Sequence, residues 1–227
     1  MCGRFTRMMT WGELIALYRL TTDWERGWNS PARYNIAPTE EVPFVTAGEN
    51  GGHKLRLGRW WLVPWWAKEM PKQAMFNARI ETVDTSGAFK DAWRETRCLI
   101  PADGFYEWTK NPGDGGRDPW HIHLPDGTGF SFAGLWAYNR KLDVTSCTII
   151  TEPAAEPMSR LHDRQPVVLD PAVYDVWLDP QTPAGELKQV LSHDLDWKLQ
   201  FHRVSREVNS TKGGADRASM AEPINPL

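Results

Sequence analysis

Apolar and polar residues alternate along much of the chain, and this pattern predicts a protein with more strand than helix. Pro43 cannot donate a ladder hydrogen bond, so the strand that contains it is expected at a sheet edge. The Asn-Gly-Gly sequence at 50–52 is typical of a hairpin turn. Strands are predicted at 33–38, 41–46, 53–63, 97–102, 105–109, 120–124, 129–138, 145–151 and 200–205.

Helical periodicity is confined to shorter stretches. Thr10 is a suitable N-cap for the first of them, and Thr85 or Ser86 is expected to cap the second. Helices are predicted at 11–20, about 87–95, 171–178 and 183–192. No repeat or linker divides the chain, so we expect one α+β domain over 1–227, with its core in about 2–210 and an irregular C-terminal tail.

Residues 60–66 form the most aromatic segment of the chain. The segment is either a buried strand end or an exposed surface on which bases or sugars stack, and the sequence does not decide between them. The break at Pro64 and the charged residues at 68–69 suggest that its second tryptophan pair approaches the surface. We refer to Trp65 and Trp66 as the tryptophan shelf.

Glu107 stands in a strictly alternating stretch. Alternation places its side chain on the face of Phe105, opposite Tyr106 and Trp108. A carboxylate in this context lies either on a solvated sheet face or in a partly desolvated site, and the sequence leaves both open. The polar run at 77–82, which includes Asn77 and Arg79, is hard to explain by packing alone.

Composition excludes several classes of protein. No stretch approaches 18 consecutive apolar residues and no secretory signal is visible, so a cytoplasmic protein without a membrane span is expected. The cysteines Cys2, Cys98 and Cys147 form no C-x-x-C pair, which argues against a disulfide framework or a thiolate zinc site. The net charge of -3 means that nucleic-acid binding would require a local basic patch.

Cys2 directly follows the initiator, so removal of Met1 would leave a cysteine with both a free α-amine and a thiol. An aldehyde attacked by that amine can be captured by the sulfur as a five-membered thiazolidine, which no internal cysteine can form. The α-amine has an ordinary pKa of about 7.7–8.0, and Arg4 is expected to lower the pKa of the thiol. The alternative is that Cys2 is a small apolar residue at the start of a buried strand.

Histidines supply two further candidates. His162, between two arginines and beside Asp163, is a poor core histidine and suits proton transfer. His121 and His123 alternate onto one strand face, where a metal could bind. No third ligand is in view, so a polar sheet face is favoured and neither a metal nor a cofactor is expected.

Nine stretches, taken together and in order, resemble the SRAP family (SOS response-associated peptidase). Each is weak alone, but they run from residue 2 to about 209. Trp61 departs from the pattern, since the family usually has glycine there. The resemblance implies a bifurcated mixed β-sheet that closes partly into a barrel and is flanked by helices. The matching stretches are 2–5, 33–38, 60–68, 77–79 with 81–82, 101–108, 133–136, 148–151, 162–164 with 166, and 204–205 with 208–209.

The resemblance implies a sensor of abasic sites in single-stranded DNA, whose N-terminal cysteine forms a thiazolidine cross-link with the ring-opened sugar. By position, Cys2 would be the nucleophile through its amine and its thiol. Asn77 would orient the amine, Glu107 would shuttle protons, and His162 would assist opening of the sugar ring. Self-removal of Met1 and lyase cleavage beside the abasic site are also implied.

The family pattern also implies a DNA-binding set and partners. The arginines would meet phosphates, and the tryptophan shelf would cover a neighbouring base. The partner would be single-stranded DNA containing abasic sites, with the replication machinery as a further candidate, and the protein is expected to act as a monomer. The DNA-binding residues expected are Arg4, Arg33, Trp65, Trp66, Arg79, Arg164 and Arg206.

Two other functions stay open at this point. One is an N-terminal-nucleophile amidohydrolase that uses the Cys2 thiol with its own amine as base. The other is a non-catalytic reader of modified DNA bases that uses the tryptophan shelf. Replacement of Cys2 by alanine would spare only the reader.

Overall fold

The computed structural model describes residues 2–20, 31–48, 51–191, 195–211 and 216–224. Met1 and Asn50 therefore lie outside the described residues. The strands are β1 Phe5–Arg7, β2 Arg33–Ile36, β3 Glu41–Ala47, β4 His53–Trp60, β5 Asn77–Arg79, β6 Arg97–Ala102, β7 Gly104–Lys110, β8 Arg117–His123, β9 Phe130–Asn139, β10 Val144–Pro153, β11 Arg164–Pro166, β12 Val168–Leu169 and β13 Gln200–Arg203. The α-helices are α1 Trp11–Tyr18, α2 Lys90–Glu95, α3 Tyr174–Leu178 and α4 Leu187–Val190. Single 3₁₀ turns lie at Pro125–Gly127, Met158–Arg160, Pro171–Val173, Asp196–Lys198, Arg206–Asn209 and Ala218–Met220.

The strands form two sheets that confirm the predicted α+β architecture. The larger sheet has the order β11-β10-β4-β3-β6-β9-β12, and β5 pairs with β10 beside it. Because β10 also pairs with β9, the strands β3, β4, β6, β9 and β10 close into a ring. The pairs of β10 with β4 and β5 are parallel, whereas the other pairs of this sheet are antiparallel. This sheet is the mixed, partly closed barrel that the family resemblance implied.

The smaller sheet has the order β13-β8-β7-β1-β2 and is antiparallel throughout. Strand β7 follows β6 after the single residue Asp103, so the chain passes directly from one sheet to the other. Asp103 is 3% exposed, and its carboxylate accepts hydrogen bonds from the backbone N–H groups of Met8 and Met9. This contact ties the start of the chain to the point where the sheets divide.

Two large apolar clusters and a third, small one around Tyr106 lie within the described residues. One lies under the helices and includes Leu14, Trp93 and Trp177. The other lies between the sheets and contains Cys2 and Phe105. The second cluster therefore places Cys2 inside the protein.

Helix α1 confirms the prediction made from Thr10. The Thr10 hydroxyl accepts a hydrogen bond from the Glu13 N–H, and the Glu13 carboxylate accepts one from the Thr10 N–H, which forms a capping box. Helix α2 differs from prediction, because it begins at Lys90 and neither Thr85 nor Ser86 caps it. The Ser86 carbonyl instead accepts the N–H of Lys90, so turns occupy the first part of the predicted helix.

Strand β3 is not at a sheet edge, which corrects the prediction made from Pro43. It lies between β4 and β6. Pairing with β4 runs along its whole length, but pairing with β6 is in register only at Val45 with Leu99. The missing N–H of Pro43 is tolerated because Pro43 is not part of that short second pairing. The hairpin predicted between β3 and β4 is confirmed, and Gly51 has the positive φ of +74° that such turns require.

The segment 216–224 differs from the irregular tail expected of it. It contains the 3₁₀ turn Ala218–Met220, whose Met220 side chain is fully buried. The Tyr106 hydroxyl donates to the Met220 carbonyl at 3.4 Å, and the Ile224 N–H donates to the Arg203 carbonyl at 3.0 Å. The extent of the domain over 1–227 stays a prediction. Within the described residues, no helix is long and apolar enough to cross a membrane.

Candidate active site and nucleic-acid interface

Cys2 is completely buried next to β1, in the apolar cluster between the sheets. Burial raises the pKa of its thiol far above the ordinary value, and the negative charge of Glu107 raises it further. The expectation that Arg4 lowers this pKa through its charge is wrong. Only the Arg4 carbonyl contacts the sulfur, at 3.9 Å, whereas its guanidinium reaches away from Cys2. The thiol is therefore protonated at neutral pH.

Asn77 is the polar side chain that contacts Cys2 directly. Asn77 is the first residue of β5, and this strand is fixed by its parallel pairing with β10. Its Nδ2 donates to the Cys2 carbonyl at 2.9 Å, so the contact is to the carbonyl rather than to the amine that the sequence analysis expected. Its Oδ1 is buried and has no hydrogen-bond partner among the described residues. A buried amide oxygen of this kind is available to accept a hydrogen bond from a terminal amine.

Glu107 is only 2% exposed, so the desolvated alternative holds and the solvated sheet face is excluded. The predicted alternation along β7 is confirmed. Phe105 packs in the cluster of Cys2, while Tyr106 and Trp108 pack with Val204 and Val208. Glu107 Oε2 lies 3.9 Å from His162 Nε2, which is an ion pair when the imidazole is protonated.

His162 lies in the loop before β11, and its own backbone sets the direction of its ring. The Arg164 N–H donates to His162 Nδ1 at 2.9 Å, so the neutral ring carries its proton on Nε2, the nitrogen that faces Glu107. The Asp163 carboxylate lies 2.8 Å from the same Nδ1, a contact that would require a proton there. Because the Asp163 side chain is 87% exposed and hydrated, the backbone contact governs the neutral ring.

Three of the arginines predicted to bind DNA already have carboxylate partners. Arg33 pairs with Glu40 and Asp216, and Arg206 pairs with Asp114 and Asp118. Arg164 forms a two-pronged pair with Glu81 and also donates to the Thr151 carbonyl at 2.8 Å. The pairs hold these side chains in place and neutralise much of their charge. These partners are far away in sequence, apart from Glu40, and sequence reasoning missed them.

Arg4 and Arg79 are different, because neither has a carboxylate in hydrogen-bond contact among the described residues. Arg4 donates to the Asn35 side-chain oxygen at 2.6 Å and to the Val208 carbonyl at 2.5 Å, both of which are neutral acceptors. Arg79 is exposed on β5, two residues after Asn77 and on the same strand face. Arg4 and Arg79 are thus the arginines of the predicted DNA-binding set without a carboxylate in hydrogen-bond contact among the described residues, and Arg79 shares β5 with Asn77, which contacts Cys2.

Comparison with known proteins identifies the family of this chain. Residues 1–211 match the family described as SOS response associated peptidase (SRAP). The chain belongs to the SRAP family. Abasic site processing protein YoaM of Bacillus subtilis is 36% identical over 98% of this chain and 99% of its own length. Abasic site processing protein YedK of Escherichia coli is 31% identical over 99% of this chain and 100% of its own.

Solved structures confirm the SRAP fold. A protein from Bacteroides thetaiotaomicron superposes with a TM-score of 0.83 at 18% identity, over 99% of this chain and 100% of that one. A phage-related protein from Bordetella bronchiseptica superposes with a TM-score of 0.71 at 26% identity, over 89% of this chain and 94% of that one. The two-sheet architecture of this SRAP chain therefore has experimental counterparts.

The tryptophan-rich segment of this SRAP chain divides at Pro64. Trp60 is completely buried and donates its indole N–H to the Phe76 carbonyl, as in the strand-end interpretation. Trp65 and Trp66, the tryptophan shelf, are 62% and 51% exposed. Trp61, the departure noted from the family pattern, packs against Phe76 at a ring distance of 5.7 Å.

Proposed function

We propose that this protein processes abasic sites in single-stranded DNA by forming a covalent thiazolidine cross-link through Cys2 once Met1 has been removed. The names of the relatives YoaM and YedK support the abasic-site part of the proposal. The covalent chemistry is supported by one observation above all. Cys2 is buried, Asn77 contacts it and has an Oδ1 without a hydrogen-bond partner among the described residues, and the charge of Glu107 raises the pKa of the Cys2 thiol.

The first step is attack by the Cys2 α-amine on the aldehyde carbon of the ring-opened abasic sugar. A free α-amine has an ordinary pKa of about 7.7–8.0, so part of it is neutral near pH 7, whereas the buried thiol is protonated. Asn77 Oδ1 would accept one amine N–H and direct the nitrogen lone pair at the aldehyde. The carbinolamine then loses water, and the product is a Schiff base.

The second step closes the ring. The Cys2 sulfur adds to the Schiff-base carbon, the thiol proton leaves the sulfur, and the imine nitrogen receives a proton. Overall the aldehyde and the aminothiol become a thiazolidine and one water molecule. Glu107 would carry protons in both steps, because it is close enough to Cys2 for its charge to raise the pKa of the thiol.

His162 would act on the sugar before either step. An abasic deoxyribose is mostly a closed ring, and opening it requires proton transfer to the ring oxygen and from the hydroxyl. His162 Nε2, which carries the proton of the neutral ring, lies 3.9 Å from Glu107 Oε2. The imidazole can therefore donate a proton while the carboxylate accepts one. Self-removal of Met1 and lyase cleavage from the Schiff base belong to the same proposal, since each uses these groups.

Binding of the strand would depend on Arg4 and Arg79 for phosphates and on the tryptophan shelf for a base. Stacking is tolerant of sequence and needs little net charge, which suits a protein with a net charge of -3. Arg33, Arg164 and Arg206 would hold neighbouring segments together through their ion pairs more than attract phosphate. The replication machinery as a partner and a monomeric state stay predictions.

The amidohydrolase alternative fits the site less well. It would use the thiolate as its first nucleophile, and such cysteines have a lowered pKa in an electropositive, partly exposed site. Cys2 is fully buried, and its pKa is raised. A mechanism that begins at the amine does not have this difficulty.

The test is a cross-linking assay on a denaturing gel. Protein shown by intact mass to lack Met1 is mixed with single-stranded DNA carrying one abasic site. We expect a heat-stable adduct that is absent with Cys2→Ala, with Met1 retained, and with a tetrahydrofuran site that offers no aldehyde. Cys147→Ala, which also removes a buried thiol, should still form the adduct. An adduct that persists in Cys2→Ala would overturn the proposal.

A further inference from the structure

We propose that His121, His123 and His202 form a binding site for a divalent transition metal ion, with Zn²⁺ the best match to three imidazole ligands. The site is separate from Cys2. One ring nitrogen can be chosen from each histidine so that all three lie within 4.8 Å of one another. Neutral imidazole nitrogens are ligands that Zn²⁺, Cu²⁺ and Ni²⁺ prefer.

The fold brings the three side chains together across two strands. His202 of β13 is the register partner of His121 of β8, and His123 follows two residues later on the same face. That face also carries Tyr106, the register partner of His121 on β7. Phe105 and Glu107 lie on the other face, so the histidine cluster and the Cys2 site occupy opposite faces of the smaller sheet.

Gly104 of β7 makes room for the cluster. A Cβ atom at this position would lie 2.2 Å from His121 Nε2, so any larger residue would displace the ring. The same nitrogen lies 3.3 Å from the Thr6 hydroxyl, which can donate to it or turn away. His121 is 4% exposed, whereas His123 and His202 are half-buried, so one side of the cluster is open to solvent.

The hydrogen bonds of His123 and His202 orient two lone pairs toward each other. His123 Nδ1 lies 2.8 Å from the Leu124 carbonyl, and His202 Nε2 lies 2.8 Å from the Ala221 carbonyl. A carbonyl only accepts, so each of these nitrogens carries the proton of its neutral ring. The remaining nitrogens, His123 Nε2 and His202 Nδ1, then both present lone pairs, although they are only 3.2 Å apart.

A bound cation resolves this conflict. Two nitrogens that each bind zinc at about 2.0–2.1 Å with tetrahedral angles are separated by about 3.3 Å, close to the distance between these two. Metal-bound histidines usually donate their other N–H to a carbonyl or carboxylate, as both rings do here. A proton shared between His123 and His202 is the competing explanation.

The metal would fasten the C-terminal segment to the sheet. His202 contacts Ala221, so a cation held by the cluster would link β8, β13 and the turn at 218–220. A ligand that binds only the folded chain raises its stability, so the metal should raise the thermal midpoint.

The experiment is metal binding by tag-free Cys2→Ala protein, in which the terminal aminothiol cannot chelate the ion. We expect one Zn²⁺ per chain by calorimetry, and a tetrahedral Co²⁺ spectrum that Zn²⁺ abolishes. His123→Gln and His202→Gln should each weaken binding by about 10-fold to 100-fold or more. His162→Gln, which lies outside the cluster, should bind as tightly as its parent.

A variant that retains a ligand keeps the test valid if a glutamine variant fails to fold. His202→Cys should bind Co²⁺ and add a thiolate charge-transfer band that the parent lacks. If no Zn²⁺ binds at any concentration at which the protein stays in solution, the proposal is overturned. A proton shared between His123 and His202 would then explain their short distance. Stoichiometric binding that survives in both glutamine variants would also overturn it.

Discussion

Replacing Arg79 by alanine should weaken binding of single-stranded DNA in a strongly salt-dependent manner, whereas replacing Arg206 should not. Arg79 is exposed, and its side chain has no hydrogen-bond or ion-pair partner among the described residues, so its charge is available to a phosphate. Arg206 has two carboxylate partners, with nitrogen–oxygen distances of 2.5 Å to Asp114 and 2.7 Å to Asp118. These pairs raise the pKa of Arg206 and lower that of Asp114 to about 2. Arg206 and Asp114 are exposed whereas Asp118 is buried, and in both pairs the carboxylate neutralises charge that a phosphate would otherwise meet.

The magnitude follows from counterion release. Each phosphate contact on a single strand contributes about 0.7 to the slope of log affinity against log salt concentration. Loss of the Arg79 contact should therefore reduce the slope of log affinity against log salt concentration by about 0.7. For each tenfold rise in salt, the variant would then lose about fivefold less affinity than the parent. Arg206→Ala should leave the slope unchanged, because no phosphate contact is removed.

The assay is fluorescence anisotropy of an oligonucleotide with a tetrahydrofuran site, so that no covalent step interferes. Affinity is measured across a series of salt concentrations for the parent, Arg79→Ala and Arg206→Ala. If Arg206→Ala lowers the slope as much as Arg79→Ala, the ion pairs open on binding and the assignment of the free cations is wrong.

Three further predictions concern catalysis and stability. Glu107→Gln should slow cross-linking by about 100-fold or more and leave DNA affinity intact, because it removes a proton carrier and no phosphate contact. The rates are measured on single-turnover gels. A variant that cross-links as fast as the parent would contradict the role of Glu107. Burial raises the pKa of all three thiols, so above about pH 8.5 the unfolded chain releases protons that the native chain keeps. The free energy of unfolding should therefore fall as the pH rises above that value. The expected decrease is about 1.4 kcal/mol per pH unit for each thiol. Cys147→Ala should reduce that slope in urea titrations by one thiol's share, and an unchanged slope would show that the decline has another source. Gly104→Ala should destabilise the protein by about 1–3 kcal/mol through its clash with His121, whereas Gly87→Ala, with open space around it, should be nearly neutral in the same titration.

Local signals in the sequence were sufficient where the determining contacts are local. Thr10 predicted the start of α1 because capping depends on the next three residues. Alternation placed Glu107 on the face of Phe105 because side chains along a strand have a period of two. The family resemblance supplied the partly closed barrel, since strand order depends on pairings between distant segments.

The predictions that failed concern features that are set by contacts between residues far apart in the sequence. The placement of Pro43 at a sheet edge failed because the short pairing of β3 with β6 does not include that residue. His121 and His123 lacked a third ligand in the sequence, since His202 is 79 residues beyond the second of them and reaches them only through the pairing of β13 with β8. The predicted effect of Arg4 on the thiol failed because proximity in sequence does not fix the direction of a long side chain.

In the proposed product, the amine and the sulfur of Cys2 share one ring with the sugar carbon. The most direct measurement is the intact mass of the purified DNA adduct before and after treatment with borohydride. A thiazolidine has no imine to reduce, so its mass should stay unchanged, while Cys2→Ser should yield a stable adduct only when borohydride is present during the reaction, as a reduced Schiff base heavier than the imine by H₂. If the adduct of the unaltered cysteine also gains H₂, the sulfur takes no part in the linkage and the account is wrong.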